Sequence, residues 1–132
     1  MVVYIDTSAF YAILYQKDEN YTAASKIWAD LVTRGDDLVS NNYVLVETIA
    51  LLQRRLGLEA VKAFQEDIVP ILSIDWISET KHQTAIQGLF IAGRRYLSLV
   101  DCTSFETMRR LGIHSAFAFD PHFNEQGFET LS

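Results

Sequence analysis

The chain has 132 residues, 49% of them hydrophobic and 12% aromatic, with only 6 Gly and 2 Pro, which excludes a disordered, collagen-like or low-complexity polypeptide. Its 11 Lys and Arg face 17 Asp and Glu, and the net charge of −6 argues against nucleic-acid binding by bulk attraction, unless bound cations invert the local sign. The length fits one domain, residues 1–132, large enough to fold without staples, and the single Cys102 excludes an internal disulfide framework. No apolar run is long enough to span a bilayer, and Asp6 ends the first one, so a cytoplasmic protein with neither signal peptide nor membrane contact is expected.

Taken in chain order, apolar bursts alternate with helical patterns. Val2–Ile5 reads as a short strand ending at Asp6, and Ser8–Tyr15 as a short helix. Asn20–Thr33 carries Ala24, Ile27, Trp28 and Leu31 on one stripe and stops at Gly35. A brief strand over Leu38–Ser40 leads into an apolar helix, Tyr43–Leu56, opened by Asn41 or Asn42 and closed by Gly57. Leu58–Ile68 reads as a helix halted by Pro70, and Ile71–Ile74 as a strand. Ser78–Ala92 aligns His82, Ala85, Ile86, Leu89 and Phe90, and Asp101–Leu111 is a helix ended by Gly112. Ala116–Phe119 is a strand ended by Asp120, and Phe128–Leu131 a short last strand. Helices long enough to cross over between strands imply a mainly parallel sheet. The expected fold class is a three-layer α/β/α sandwich, in which ligands gather beyond the carboxyl ends of the strands.

Four acids fall at or near such ends. Asp6, followed by Thr7 and Ser8, suits a helix N-cap, and Asp120 before Pro121 suits a turn opener. Asp101 begins a helix, where its charge faces the macrodipole and Ser98 offers a capping-box partner. Glu47 is flanked at helical spacing by Tyr43, Val44, Ala50 and Leu51. That spacing predicts a carboxylate on a buried face, which needs an Arg, a hydrogen-bond cluster or a metal as partner. Each acid has an ordinary local explanation; gathered on one rim, they repel unless a cation is present. An oxygen-only set suits Mg²⁺ or Mn²⁺, and the chemistry that uses it is phosphoryl transfer or phosphodiester hydrolysis.

Other candidates carry less. His82, His114 and His122 show no metal-ligand spacing and read as structural or exposed. Cys102 stands beside Asp101, whose charge disfavours a thiolate. The doublets Arg54-Arg55, Arg94-Arg95 and Arg109-Arg110 read first as solvated helix positions and second as phosphate contacts.

The segments Tyr4-Ile5-Asp6-Thr7-Ser8-Ala9, Ser40-Asn41-Asn42-Tyr43-Val44-Leu45-Val46-Glu47, Leu97-Ser98-Leu99-Val100-Asp101 and Ala118-Phe119-Asp120-Pro121-His122-Phe123 occur in an order that resembles the PIN-domain family. The resemblance implies a parallel sheet covered by helices, a pocket holding Mg²⁺ or Mn²⁺, and endoribonuclease activity. The short chain is most similar to the toxins of VapBC-type toxin–antitoxin pairs, which implies an RNA substrate, a small antitoxin partner and a homodimer. It makes Asp6 and Asp101 the principal metal ligands, Glu47 a further acid of the pocket, and Asp120 the completing member. The alternatives are a PIN ribonuclease of RNA processing and a phospho-receiver signalling domain. The second needs adjacent acids after the first strand and a late Lys, whereas Asp6 is followed by Thr7 and no Lys follows Lys81.

Overall fold

The run Val2–Ile5 forms β1, and its Val3, Tyr4 and Ile5 are wholly buried. A strand buried on both faces belongs in the middle of a parallel sheet covered by helices. The computed structural model describes residues 1–132 and gathers five strands into one sheet whose pairings are all parallel. The flanking strands are β2 (Asp37–Asn41) and β4 (Ser115–Phe117), and the edges are β3 (Ser73–Asp75) and β5 (Glu129–Leu131), in the order β3-β2-β1-β4-β5. The helices α1 (Thr7–Leu14), α2 (Tyr21–Arg34), α3 (Asn42–Arg55), α4 (Leu58–Ala63), α5 (Glu79–Ala92), α6 (Leu99–Leu111) and α7 (His122–Glu125) supply the connections. The result is the expected α/β/α sandwich, and its order differs from the 2-1-3-4-5 arrangement of receiver domains.

The chain builds outward from β1 in one direction through β2 and β3, then returns to the other side for β4 and β5. The crevice between β1 and β4 is therefore the switch point at which such sheets hold ligands. Register brings the two strands to a common end: Ile5 pairs with Phe117, and the Asp6 N–H donates to the Phe117 carbonyl at 3.1 Å.

Most predicted elements appear within one or two residues, and the exceptions have local causes. The helix expected over Leu58–Ile68 is α-helical only to Ala63, then widens into a π-turn over Phe64–Ile68 and a tight turn through Ile71. Pro70 has no N–H to continue the ladder, and the Val69 N–H reaches back five residues to the Phe64 carbonyl. The widening keeps Phe64 and Ile68 in the core, with Phe64 edge-on to Phe10. The strand expected to Phe119 ends at Phe117, and α7 follows as an unpredicted single turn. Phe90, placed by periodicity on the buried stripe of α5, is instead 78% exposed.

Candidate active site

Asp6 leaves β1 and caps α1, so the ordinary reading of this acid is correct as far as it goes. Its Oδ2 accepts the Ser8 N–H at 3.1 Å and the Ser8 hydroxyl at 2.7 Å, while Oδ1 takes part in no hydrogen bond. The Ser8 hydroxyl in turn accepts the Phe119 N–H at 3.0 Å, clasping the end of β1 to the chain leaving β4. Burial raises the Asp6 pKa from 3.8 to about 6; the Ser8 hydrogen bonds oppose the rise, and the charges of Asp101 and Asp120 add to it. A cap needs neither burial nor neighbouring carboxylates, so those two features are what the capping role leaves unexplained.

Asp101 arrives on α6, from the connection between β3 and β4. Ser98 caps α6 by accepting the Asp101 N–H at 3.0 Å, and the Asp101 carboxylate accepts the Ser98 N–H at 3.1 Å. This reciprocal box fixes the carboxylate against the helix start. Burial raises the Asp101 pKa, and the nearby Asp120 charge raises it further against the Ser98 hydrogen bonds. Asp120 follows β4 and turns on itself, its Oδ1 accepting the His122 N–H at 2.9 Å. Asp101, Asp120 and His122 present donor atoms within 4.8 Å of one another. His122, read from the sequence as an unremarkable histidine, thus belongs to the cluster. Its one legible sign is its place two residues after a strand-ending acid. Its Nδ1 lies 3.3 Å from Glu125, and although burial alone lowers its pKa, the Glu125 hydrogen bond and the charges of Asp120 and Asp101 raise it overall.

Glu47 differs from expectation. It stands on the exposed side of α3, not on a buried face; the buried residues of the helix are Val44, Thr48 and Leu52. The apolar neighbours that suggested burial include Ala50, itself exposed. Glu47 lines two hollows: one of about 390 Å³ with Asn42, Tyr43, Val46 and Val100, and one of about 380 Å³ with Thr7, Ala50, Leu51 and Arg54. Although open on one side, its carboxyl is raised in pKa by the protein on the other; a Thr7 hydrogen bond opposes this, and Asp101 and Asp120 reinforce it.

The donor set fits a hard divalent cation. Asp6, Glu47 and Asp101 are all harder to ionise than usual, Asp120 adds its charge to each, and no Lys or Arg forms an ion pair with any of the four. Asp75 shows the contrast. It also ends a strand, β3, but at the sheet edge, where Lys81 at 2.8 Å, Arg110 at 2.5 Å and the Thr107 hydroxyl at 2.7 Å neutralise it. Burial works against that carboxylate, yet these partners hold its pKa down at about 2. The remaining arginines divide similarly. Arg94 pairs with Glu125 at 2.9 Å, and Arg109 lies over the rings of Phe105 and Phe128. Cys102, next to Asp101 on α6, is buried, and burial with the Asp101 and Glu106 charges pushes its thiol pKa up, away from nucleophilic use.

Comparison with known proteins agrees with this geometry. The PIN-domain family model matches residues 3–129. The chain is 32% identical over 128 residues to the 23S rRNA-specific endonuclease VapC20 of Mycobacterium tuberculosis, covering 96% of this chain and 95% of that protein. The crystal structure of the Mycobacterium tuberculosis sarcin-ricin loop cleaving toxin VapC20 superposes with a TM-score of 0.85 at 31% identity, over 97% of this chain and 96% of that one. FitAcB from Neisseria gonorrhoeae shares the fold at 12% identity, with a TM-score of 0.71 over 100% of this chain and 97% of that chain. A cluster of acids near the β1–β4 switch point, on a chain matched nearly end to end, has one account: the chain belongs to the PIN-domain family.

Proposed function

We propose that the chain is a metal-dependent endoribonuclease and the toxin of a VapBC-type pair. The observation that carries this reading is the pairing of Asp101 and Asp120 within 4.8 Å, with their charges acting on the buried Asp6 at the switch point and no Lys or Arg paired with any of the three. Asp6 and Asp101 hold Mg²⁺ or Mn²⁺, Asp120 completes the pocket, and Glu47 serves at its open side, directly or through water. A divalent ion held there supplies Lewis acidity at the scissile phosphate and the means to activate water at neutral pH. The chain's own contribution is orientation: Ser8 fixes Asp6, the capping box fixes Asp101, and neither acid must find its position when RNA arrives. Hydrolysis adds water across one P–O bond, leaving a phosphate end and a hydroxyl end. No protein nucleophile is needed, in keeping with the buried thiol of Cys102.

The substrate class rests on the relatives, of which VapC20 is specific for 23S rRNA. Large-subunit ribosomal RNA is therefore the first substrate to test, at an exposed loop where bases are unstacked. A small antitoxin and a second copy of the chain belong to the same reading. The exposed Phe90, Ile91 and Tyr96 offer apolar surface for such association. No helix is long and apolar enough to cross a membrane, in keeping with a cytoplasmic site of action.

The test is incubation of the purified protein with ribosomal and total RNA in EDTA, Mg²⁺ or Mn²⁺, with the cut ends mapped. Discrete cuts that require the metal are expected from the wild type. Asp6→Asn and Asp101→Asn are expected to lose at least about a hundredfold in rate while keeping the native circular dichroism. Full activity in either folded variant, or in EDTA, overturns the assignment.

A further inference from the structure

We infer that His122 is a nitrogen ligand of the metal pocket and makes it prefer later first-row ions such as Mn²⁺ and Co²⁺ over Mg²⁺. This rests on the metal-dependent reading above, to which it adds a ligand and a selectivity. The side chain is only 16% exposed, and its Nε2 lies 3.6 Å from Asp120 Oδ1, beyond hydrogen-bond length. That oxygen accepts the His122 N–H, while the imidazole Nε2 makes no hydrogen bond. The other ring nitrogen is accounted for. Nδ1 faces the Glu125 carboxylate at 3.3 Å, and Glu125 is anchored by Arg94 at 2.9 Å. A carboxylate only accepts, so Nδ1 carries a proton toward Glu125, and Nε2 is the ring nitrogen left to face a cation. Nε2 is the nitrogen on the Asp120 side, and Asp101, Asp120 and His122 each offer a donor atom within 4.8 Å of the others.

A carboxylate holding one imidazole nitrogen while the other serves a metal is the outer-shell arrangement that orients histidine ligands and strengthens them as donors. A structural role explains the arrangement less well. A surface histidine needs only one partner, and Glu125 supplies it without turning Nε2 into a cluster of acids. The chemical consequence follows from donor type. Mg²⁺ takes oxygen and gains little from nitrogen, whereas affinity for nitrogen-containing sites rises along the first row from Mn²⁺ through Co²⁺.

The deciding measurement is pulsed electron paramagnetic resonance of Mn²⁺ bound to the tag-free chain. Modulation from a directly bound ¹⁴N is expected in the wild type and absent in His122→Gln. Titration calorimetry is expected to show about a tenfold loss of Co²⁺ affinity in His122→Gln, with Mg²⁺ affinity changed by less than about threefold. Glu125→Gln, which leaves the ligand but weakens its orientation, is expected to fall between. Tight Mn²⁺ binding without nitrogen modulation in the wild type overturns the inference and leaves the nuclease reading standing. Failure of the wild type to bind any divalent ion overturns both. The wild-type spectrum decides the point even if a variant misfolds.

Discussion

Asp6 is the residue at which two demands meet, since the same carboxylate caps a helix and faces other charges. Its folded pKa of about 6 lies above the ordinary 3.8, so the folded protein without metal binds this proton more tightly than the unfolded chain does. The stability so conferred is complete below about pH 4 and is lost as pH rises through about 6, a change of roughly 2–3 kcal/mol. Melts in EDTA are therefore expected to show a lower Tm at pH 7 than at pH 5, and Asp6→Asn to remove most of that slope. A wild-type Tm in EDTA that rises from pH 5 to pH 7 sinks the account. Ser8 sharpens the same test. Ser8→Ala removes a hydrogen bond that favours the charged form and orphans the Phe119 N–H, so it is expected to cost about 1–2 kcal/mol and to shift the Asp6 titration upward. The shift is readable by NMR of the carboxyl carbon. Asp75 has the opposite sign: its depressed pKa gives stability present above the ordinary carboxylate range and lost as pH falls toward about 2.

At the level of elements, the pocket depends on how α3 and α6 are tied to the sheet. Asn41, the last residue of β2, is completely buried and has three partners. Its Oδ1 caps α3 by accepting the Val44 N–H at 2.9 Å, while Nδ2 donates to Thr103 at 3.2 Å and to Thr107 at 3.3 Å on α6. One side chain thus joins the helix bearing Glu47 to the helix bearing Asp101, and Thr107 continues the chain of bonds to Asp75. Asn41→Leu keeps the branched side-chain shape but removes the cap and the bridge. It is expected to destabilise by about 2 kcal/mol in denaturant titrations. Ser98→Ala is a milder break. The backbone N–H still holds the Asp101 carboxylate, so stability is expected to fall by about 1 kcal/mol while metal affinity is retained. A large loss of metal affinity in Ser98→Ala means that the hydroxyl, not the amide, orients Asp101.

For the whole molecule the governing fact is a net charge of −6 on a protein assigned to a polyanionic substrate. The proposed divalent metal would reconcile the two by reversing the sign of the acidic cluster. Binding to the native state alone also stabilises it, by about 1.4 kcal/mol at ten times the dissociation constant. A Tm unchanged between EDTA and millimolar Mn²⁺ is incompatible with the pocket proposed. The structure also separates the arginines that the sequence grouped as doublets. Arg54 alone of the six lines a hollow with Glu47, whereas Arg94, Arg109 and Arg110 are engaged with Glu125, with Phe105 and Phe128, and with Asp75. Arg54→Gln is accordingly expected to weaken RNA binding and to lower the logarithmic salt slope by about 1, and Arg109→Gln to leave the slope unchanged.

Which strands exist and where most helices stop were legible in the sequence, because β-branched runs, Gly stops and caps act over a few residues; the early end of α4 at Ala63, the end of β4 at Phe117 and the acid Asp75 at the end of β3 were not. The layer order followed too, since parallel strands joined by helices have few right-handed arrangements. The strand order was not legible. Nothing local separates Asp6 and Asp120, which follow the neighbouring strands of the switch point, from Asp75, which ends an edge strand and is neutralised by Lys81 and Arg110. The exposure of Glu47 was misjudged because helical spacing reports which residues share a face, not what covers that face. His122 was passed over because its partner Asp101 reaches it from α6, a different element. Local sequence determined the ends at which chemistry collects; only tertiary pairing decided which ends meet, because charges far apart along the chain acquire their mutual field when the sheet closes around them.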